Sequence, residues 1–212
     1  DNGSRVNPEK QIMDRFPVVR FLRLEENSGF TGGNNTAMRM ILDEKQADFI
    51  WLVNNDATVA PDSLKQLVAM MQSDARLGMI SPVLWDVLED EHSYYGSKIH
   101  LDKLKLTDAS SIDEFLGKVE SPKSTHSLWG TALFLRSAAV SVVGLFDDNF
   151  FAYYEDTDYS LRFHEQGWEV SICPSAVVNH LNQKPTLPNY FFYFMVRNEF
   201  LLIAKFAPKG WT

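Results

Sequence analysis

Five consecutive apolar residues, Phe49, Ile50, Trp51, Leu52 and Val53, run directly into the polar triplet Asn54-Asn55-Asp56. A strand without polar alternation is apolar on both faces and has to be covered on both, which is the situation of an inner strand in an α/β sheet. The neighbouring sequence supplies the cover. Residues 18–24 are rich in β-branched and apolar side chains and read as a strand, a loop of Gly and Asn follows, and residues 35–46 carry helical spacing. Pro61 suits the first turn of a further helix with Leu64, Leu67, Val68 and Met71 at helical spacing, and residues 78–83 read as another short strand. Strand and helix alternate, which predicts one α/β domain with a mostly parallel central sheet flanked by helices.

Residues 89–125 break this rhythm, with charge, Ser and Asp in excess and hairpin character only near 94–101. They are expected to form a variable insertion or mobile loop. Beyond them, 132–135 read as a strand, 137–143 as a short helix ended by Gly144, and 157–166 as a helix ended by Gly167. Residues 168–173 and 176–178 read as strands, and 189–206 as a helix dense in aromatics that is interrupted by Arg197-Asn198-Glu199. Neither a linker nor an internal repeat divides the 212 residues, so the whole chain is expected to be one domain.

With 20 Lys and Arg against 28 Asp and Glu, the net charge of −8 argues against nucleic acid as a partner. Cys173, the one cysteine, has no partner for an internal disulfide and fits a reducing, cytoplasmic setting. The apolar runs 49–53 and 190–196 are far shorter than the roughly 18–20 residues that span a bilayer. The first residues lack the charged start and apolar core of a signal peptide as well as an initiator Met, and read as the interior of a longer sequence. Helix 189–206, with Phe191, Phe192, Phe194, Phe200, Leu201 and Phe206, reads first as a core helix and second as a peripheral contact with the inner face of a membrane. Its few basic residues favour the first reading.

Three clusters can carry chemistry. Asn54-Asn55-Asp56 lies just beyond a strand end, where open α/β sheets gather ligands, although an Asx turn explains the triplet equally simply. Glu155, Asp156 and Asp158 are three carboxylates within four residues, set between the aromatic run 150–154 and a helix. Such a group repels itself unless a cation or a helix N-terminus offsets it, and the aromatic approach suits a general base. The plainer readings are a cap for Glu155 or Asp156, and a helix-surface ion pair between Asp158 and Arg162, four residues apart. In residues 27–35, Gly29, Gly32 and Gly33 allow close backbone approach before a helix N-terminus, a place suited to anionic oxygens. His180 ends a strand; it is either a satisfied structural residue or part of an oxygen-rich metal site. His92, His100, His126 and His164 carry no assigned role.

These pieces, in this order, resemble the family 2 glycosyltransferases of the GT-A fold, especially the rhamnosyltransferase-like and galactofuranosyltransferase-like members. Asp1-Asn2-Gly3-Ser4 resembles the family's Asp-Asn-x-Ser turn, and residues 27–35 its Asn-x-Gly-Phe-x-Gly-Gly-Asn-Asn segment. The resemblance implies that Asp1, Gly32, Gly33, Asn34, Asn54 and Asn55 face a nucleoside diphosphate sugar of UDP or dTDP type. Asn54-Asn55-Asp56 stands where the family has its Asp-x-Asp metal motif, with Asn in the first place, so Asp56 and His180 are the implied ligands of Mn²⁺ or Mg²⁺. Trp129, Gly130 and Tyr154 are implied on the acceptor side. Glu155-Asp156 resembles the pair whose second member is the family's base, and Arg197-Asn198 matches a pair in the closing helix for which no role follows. Members begin with a strand, a helix and a second strand ahead of the Asp-Asn-x-Ser turn, so a chain beginning at that turn is expected to lack them.

The resemblance therefore implies a single GT-A-type domain with a donor part (1–88), the insertion (89–125) and an acceptor and catalytic part (126–212). The implied reaction is an inverting, metal-assisted, hexosyltransferase-like transfer of a sugar to a hydroxyl on a glycan or lipid-linked acceptor. Bacterial cell-envelope polysaccharide synthesis is the implied setting. Two alternatives stand beside it: a metal-dependent phosphohydrolase using the same carboxylates on water, and a non-catalytic module that binds glycan or a partner.

Overall fold

Side chains alternate along a strand, and the apolar run at 49–53 uses that alternation to serve two cores at once. The computed structural model describes residues 1–86, 93–100, 105–117, 124–180 and 189–207. Its strands are β1 (Phe49–Val53), β2 (Ala57–Val59), β3 (Leu77–Asp86), β4 (Ser93–Tyr94), β5 (Ser97–His100), β6 (Lys105–Asp108), β7 (Ser124–Ser127), β8 (Ala132–Arg136) and β9 (Glu169–His180). Its helices are α1 (Glu9–Arg15), α2 (Gly29–Glu44), α3 (Ser63–Ser73), α4 (Ile112–Leu116), α5 (Ser137–Val143), α6 (Glu155–Glu165) and α7 (Asn189–Phe206). Ile50 and Leu52 enter the larger core with Met38 of α2, Val140 of α5 and Phe163 of α6. Phe49 and Trp51 pack on the opposite core, which Leu67 and Met71 of α3 complete. The result is a sheet with helices on both faces.

The main sheet has the order β1-β8-β3-β9-β2, with β4 on β3. It is mixed rather than mostly parallel: among the described strands only β3 and β9 pair in parallel, and β1–β8, β3–β8, β2–β9 and β3–β4 are antiparallel. The physical reason lies in β8. Both β1 and β3 run against it and therefore in one direction, as the strand-helix-strand order requires, but β8 arrives from far along the chain and inserts between them reversed.

Residues 18–24 do not form a strand. Leu24 makes a single bridge to Asn2, its N–H donating to the Asp1 carbonyl at 2.9 Å, and Val18 and Val19 are exposed. A strand needs a ladder partner along its length, and the Asn2–Leu24 pair is an isolated bridge. The expected strands 168–173 and 176–178 are one strand, β9, whose register against β3 jumps between Pro82–Cys173 and Val83–Val177. Pro174 has no N–H to give the ladder, and the displaced Val177 N–H goes instead to Ser63 Oγ at 3.0 Å.

Helix α2 begins six residues earlier than its apolar spacing indicates, at Gly29, because side chains satisfy its free N-terminal groups. Asn27 Oδ1 accepts the Gly29 N–H at 2.9 Å, Asn2 Oδ1 accepts the Ser28 N–H at 3.0 Å, and Asn2 Nδ2 donates to the Gly29 carbonyl at 2.8 Å. Gly29 has φ +74°, and a Cβ there would lie 2.4 Å from the Phe151 carbonyl oxygen. Gly29→Ala is expected to lower stability by about 1–3 kcal/mol, the range for strained backbone, read as a lower urea midpoint at unchanged slope.

The region 89–125 is not a loop where it is described. Strand β5 pairs with both β6 and β7, Ile99 is fully buried, and Phe115 of α4 enters the larger core. Part of the expected hairpin near 94–101, together with His92, lies outside the described residues. Helix α7 has the expected bounds, with Leu202 and Asn198 buried and Tyr190, Phe192, Tyr193 and Phe200 mostly exposed. Among the described residues, no helix is long and apolar enough to cross a membrane.

Candidate active site

The common direction of β1 and β9 brings their carboxyl ends to one edge of the sheet. There the chain leaves β1 through Asn54-Asn55-Asp56 and returns as β2, paired with β9 so that Ala57 faces His180. Asp56 Oδ1 consequently lies 3.3 Å from His180 Nε2. That nitrogen is buried and has no hydrogen-bond partner among the described residues. One oxygen and one nitrogen donor on a single edge fit a divalent cation that takes its remaining ligands from water or phosphate. No group of three or more His, Cys, Asp or Glu placed for a metal occurs among the described residues.

Two cavities meet beside this edge. The first, of about 520 Å³, lies between the N-terminal turn, the start of α2 and the end of β1, and Asp1, Gly33, Asn34, Asn54 and Asn55 line it. The Asp1 carboxylate is paired with Arg23 and accepts the Ser4 N–H at 3.1 Å, so it is held before any ligand arrives. Gly32 is not with this group: one residue along a helix turns by about 100°, and Gly32 faces a separate depression with Arg39 and Asp148. The second cavity, of about 740 Å³, is lined by Trp129, Gly130, Tyr153, Tyr154, Glu155 and Asp156. Phe30 and Asn54 line both, so the two cavities are neighbours. Trp129 is stacked on Tyr94 with ring centres 3.8 Å apart.

The carboxylate pair enters the second cavity because of the backbone that precedes it. Phe151, Tyr153 and Tyr154 have φ of 64°, 70° and 66°, a conformation that side chains make costly, and α6 starts directly after them. Asp156 accepts the Gly130 N–H at 2.9 Å and the Thr157 N–H at 2.7 Å. Burial pushes its pKa up while these donors hold it down, with a net upward direction. Glu155 is buried, its Oε2 has no partner among the described residues, and burial followed by the neighbouring Asp156 charge pushes its pKa up to about 8. The N–H donors on Asp156 favour it as the charged member of the pair, and Glu155, with Oε2 unpartnered among the described residues, holds its proton more readily.

Asp158 is not part of this chemistry, and its pair with Arg162 is not on the surface. It is fully buried, receives Arg162 Nε at 2.8 Å and contacts Lys205, which ties α6 to α7. Arg197 and Asn198 of α7, which had no role in the sequence, cap the carbonyls of the strained segment 150–153. Phe191 and Met195 of the same helix line the second cavity. The signal for these residues was a polar pair inside an otherwise aromatic helix.

Comparison with known proteins follows the same lines. The chain is 23% identical over 188 residues to a protein named low-salt glycan biosynthesis hexosyltransferase Agl10 from Haloferax volcanii, covering 86% of this chain and 59% of that one. It is 28% identical over 202 residues to N-acetylglucosaminyl-diphospho-decaprenol L-rhamnosyltransferase of Mycobacterium tuberculosis, covering 85% of this chain and 64% of that one. The chain thus spans about six-tenths of the length of these two relatives. The crystal structure of GalNAc-T7 with UDP, GalNAc and Mn²⁺ superposes with a TM-score of 0.64 at 15% identity, covering 86% of this chain and 37% of that one. At that identity the likeness speaks to fold alone, and the fold is the GT-A type of α/β domain. The profile of glycosyl transferase family group 2 matches residues 49–191, more than half of the sequence, and the chain belongs to that family.

Proposed function

We propose that this chain transfers a sugar from a nucleoside diphosphate donor to a hydroxyl of a glycan or lipid-linked acceptor, with inversion at the anomeric carbon. The observation that carries this reading is a pair of neighbouring cavities: Asn54, Asn55 and the start of α2 line one, the Glu155–Asp156 pair lines the other, and Asn54 lines both. The donor diphosphate occupies the edge by Asn54, Asn55 and the N-terminus of α2, whose N–H dipoles suit anionic oxygen. A divalent cation held by Asp56 and His180 would neutralise the charge that develops on the departing diphosphate. Asp156 takes the acceptor hydroxyl proton as that oxygen bonds to the anomeric carbon and the bond to the diphosphate breaks, carrying its electron pair away. Neutral Glu155 adds no second charge beside it. Trp129 and Tyr154 hold the acceptor against water.

Support for the donor and cation comes from the neighbour bound to UDP and Mn²⁺, and for a lipid-linked acceptor from the mycobacterial relative's name. UDP or dTDP as the carrier, Mn²⁺ over Mg²⁺, a cytoplasmic place at the inner face of a membrane and the three-part division of the chain belong to the same proposal.

Titrating the protein with UDP, dTDP and GDP, with and without Mn²⁺, is the direct test. One nucleoside diphosphate should bind in a Mn²⁺-dependent way, and its sugar should be released only when an acceptor is present. Release of sugar or phosphate without acceptor would assign a phosphohydrolase, and binding of none would assign a non-catalytic module.

A further inference from the structure

The strained segment that aims the carboxylates is gripped by α7. Asn198, fully buried in α7, places Nδ2 within 2.7–2.9 Å of the carbonyl oxygens of Phe150, Ala152 and Tyr153. Arg197 Nε donates to Asn198 Oδ1 at 2.9 Å, which fixes the amide with its NH₂ toward the segment. The Arg197 guanidinium also donates to the Phe150 carbonyl at 3.2 Å. The side chains are held by the same helix, since Phe151 stacks on Phe194 and Tyr153 packs edge-on against Phe191, each pair with ring centres 5.0 Å apart. Three non-glycine residues at positive φ persist only where the surroundings over-determine them, and here α7 supplies them together with Thr31 of α2, whose N–H donates to the Phe151 carbonyl at 3.1 Å.

We propose that Asn198, locked by Arg197, is a positioning residue: it holds the segment 150–153 in its left-handed conformation and so fixes where Glu155 and Asp156 enter the cavity. The inference rests on the proposed transfer reaction for its kinetic consequence, but its structural content is independent of that reaction. The Asn198 amide touches neither the cavity nor the reacting atoms. Its effect passes through the backbone to the start of α6, where a displacement on the order of 1 Å costs about 100-fold in rate.

The test compares Asn198→Ala and Arg197→Ala with Met71→Ala, a core truncation in α3 on the opposite face of the sheet. Asn198→Ala should lower kcat about 100-fold while nucleoside diphosphate affinity stays within about twofold, because the cavity beside Asn54 and Asn55 is not lined by the segment 150–153. Amide hydrogen exchange should accelerate selectively at Gly130 and Thr157, whose N–H groups donate to Asp156. Activity no lower than that of Met71→Ala at an equal folded fraction, or exchange raised evenly through α6 and α7, would overturn the proposal. If Asn198→Ala does not fold, Arg197→Ala carries the test, with about a tenfold loss of kcat expected and an unchanged kcat overturning it. If the unaltered protein transfers no sugar from any donor, the reaction fails and the exchange data alone decide: unchanged rates at Gly130 and Thr157 overturn the positioning role.

Discussion

Asp156→Asn is expected to lower turnover about 10²- to 10⁴-fold, equivalent to roughly 3–5 kcal/mol of barrier, with nucleoside diphosphate affinity retained. The substitution keeps shape and approximate polarity and removes the proton acceptor. The Thr157 N–H donates to Asp156 Oδ1 and the Gly130 N–H to Oδ2, so the amide accepts from one of them and sets its NH₂ against the other, and a urea midpoint for the variant separates lost chemistry from a loosened loop. Single-turnover rates beside nucleotide titrations measure the two effects separately. Loss of donor binding with turnover per bound donor unchanged would move Asp156 out of the base role.

Glu155→Gln provides the contrast. Because Glu155 holds its proton up to about pH 8, the neutral amide resembles its working form and should cost far less turnover at pH 7. Its protonation also predicts a pH effect on stability. Between the ordinary carboxyl value of 4.5 and about 8, the folded state keeps a proton that the unfolded state has lost. Stability therefore falls as pH rises through this window, and Glu155→Gln should reduce that slope, leaving the part that Asp156, also raised by burial, contributes. Urea midpoints at pH 5 and pH 8 for both proteins read it directly. Abolished turnover in Glu155→Gln with near-normal turnover in Asp156→Asn would make Glu155 the base.

The meeting of Asp56 with His180 was legible in the sequence because it depends only on strand direction: two strand ends of one polarity share an edge, and each residue sits just past or at such an end. The reversed insertion of β8 was not legible, since the order of elements along the chain does not state where a distant strand will fit. The core role of residues 89–125 was hidden for a different reason. Its strands are short, and Ile99 and Phe115 are too widely separated to give a period. The grip of Asn198 on residues 150–153 joins positions 45 to 48 apart and depends on positive φ at Phe151, Tyr153 and Tyr154, residue types that give no warning of that conformation. The neighbourhood of Asp56 and His180 was thus readable, while what aims Glu155 and Asp156 lies in long-range packing.

Asp56→Ala is expected to weaken Mn²⁺ binding, measured by water-proton relaxation in the presence of a nucleoside diphosphate, by more than the about 10- to 100-fold that loss of an outer-shell partner costs. The reason is the small protein contribution at this edge, a carboxylate oxygen and an imidazole nitrogen 3.3 Å apart. Hard divalent cations are held mainly by oxygen and by charge, and Asp56 supplies both. The residue is 53% exposed by side chain, so its removal leaves the core intact and the melting temperature near its original value. His180→Ala removes the softer ligand and should reduce Mn²⁺ binding more than Mg²⁺ binding, narrowing the preference between them. Asn54→Asp should act in the opposite direction. Asn54 is two residues from Asp56 and lines both cavities, so under the proposed function a second charge there should tighten the cation without adding bulk. Mn²⁺ affinity unchanged in both Asp56→Ala and His180→Ala would show that the edge binds no cation, leaving charge neutralisation of the leaving diphosphate to the N–H groups at the start of α2.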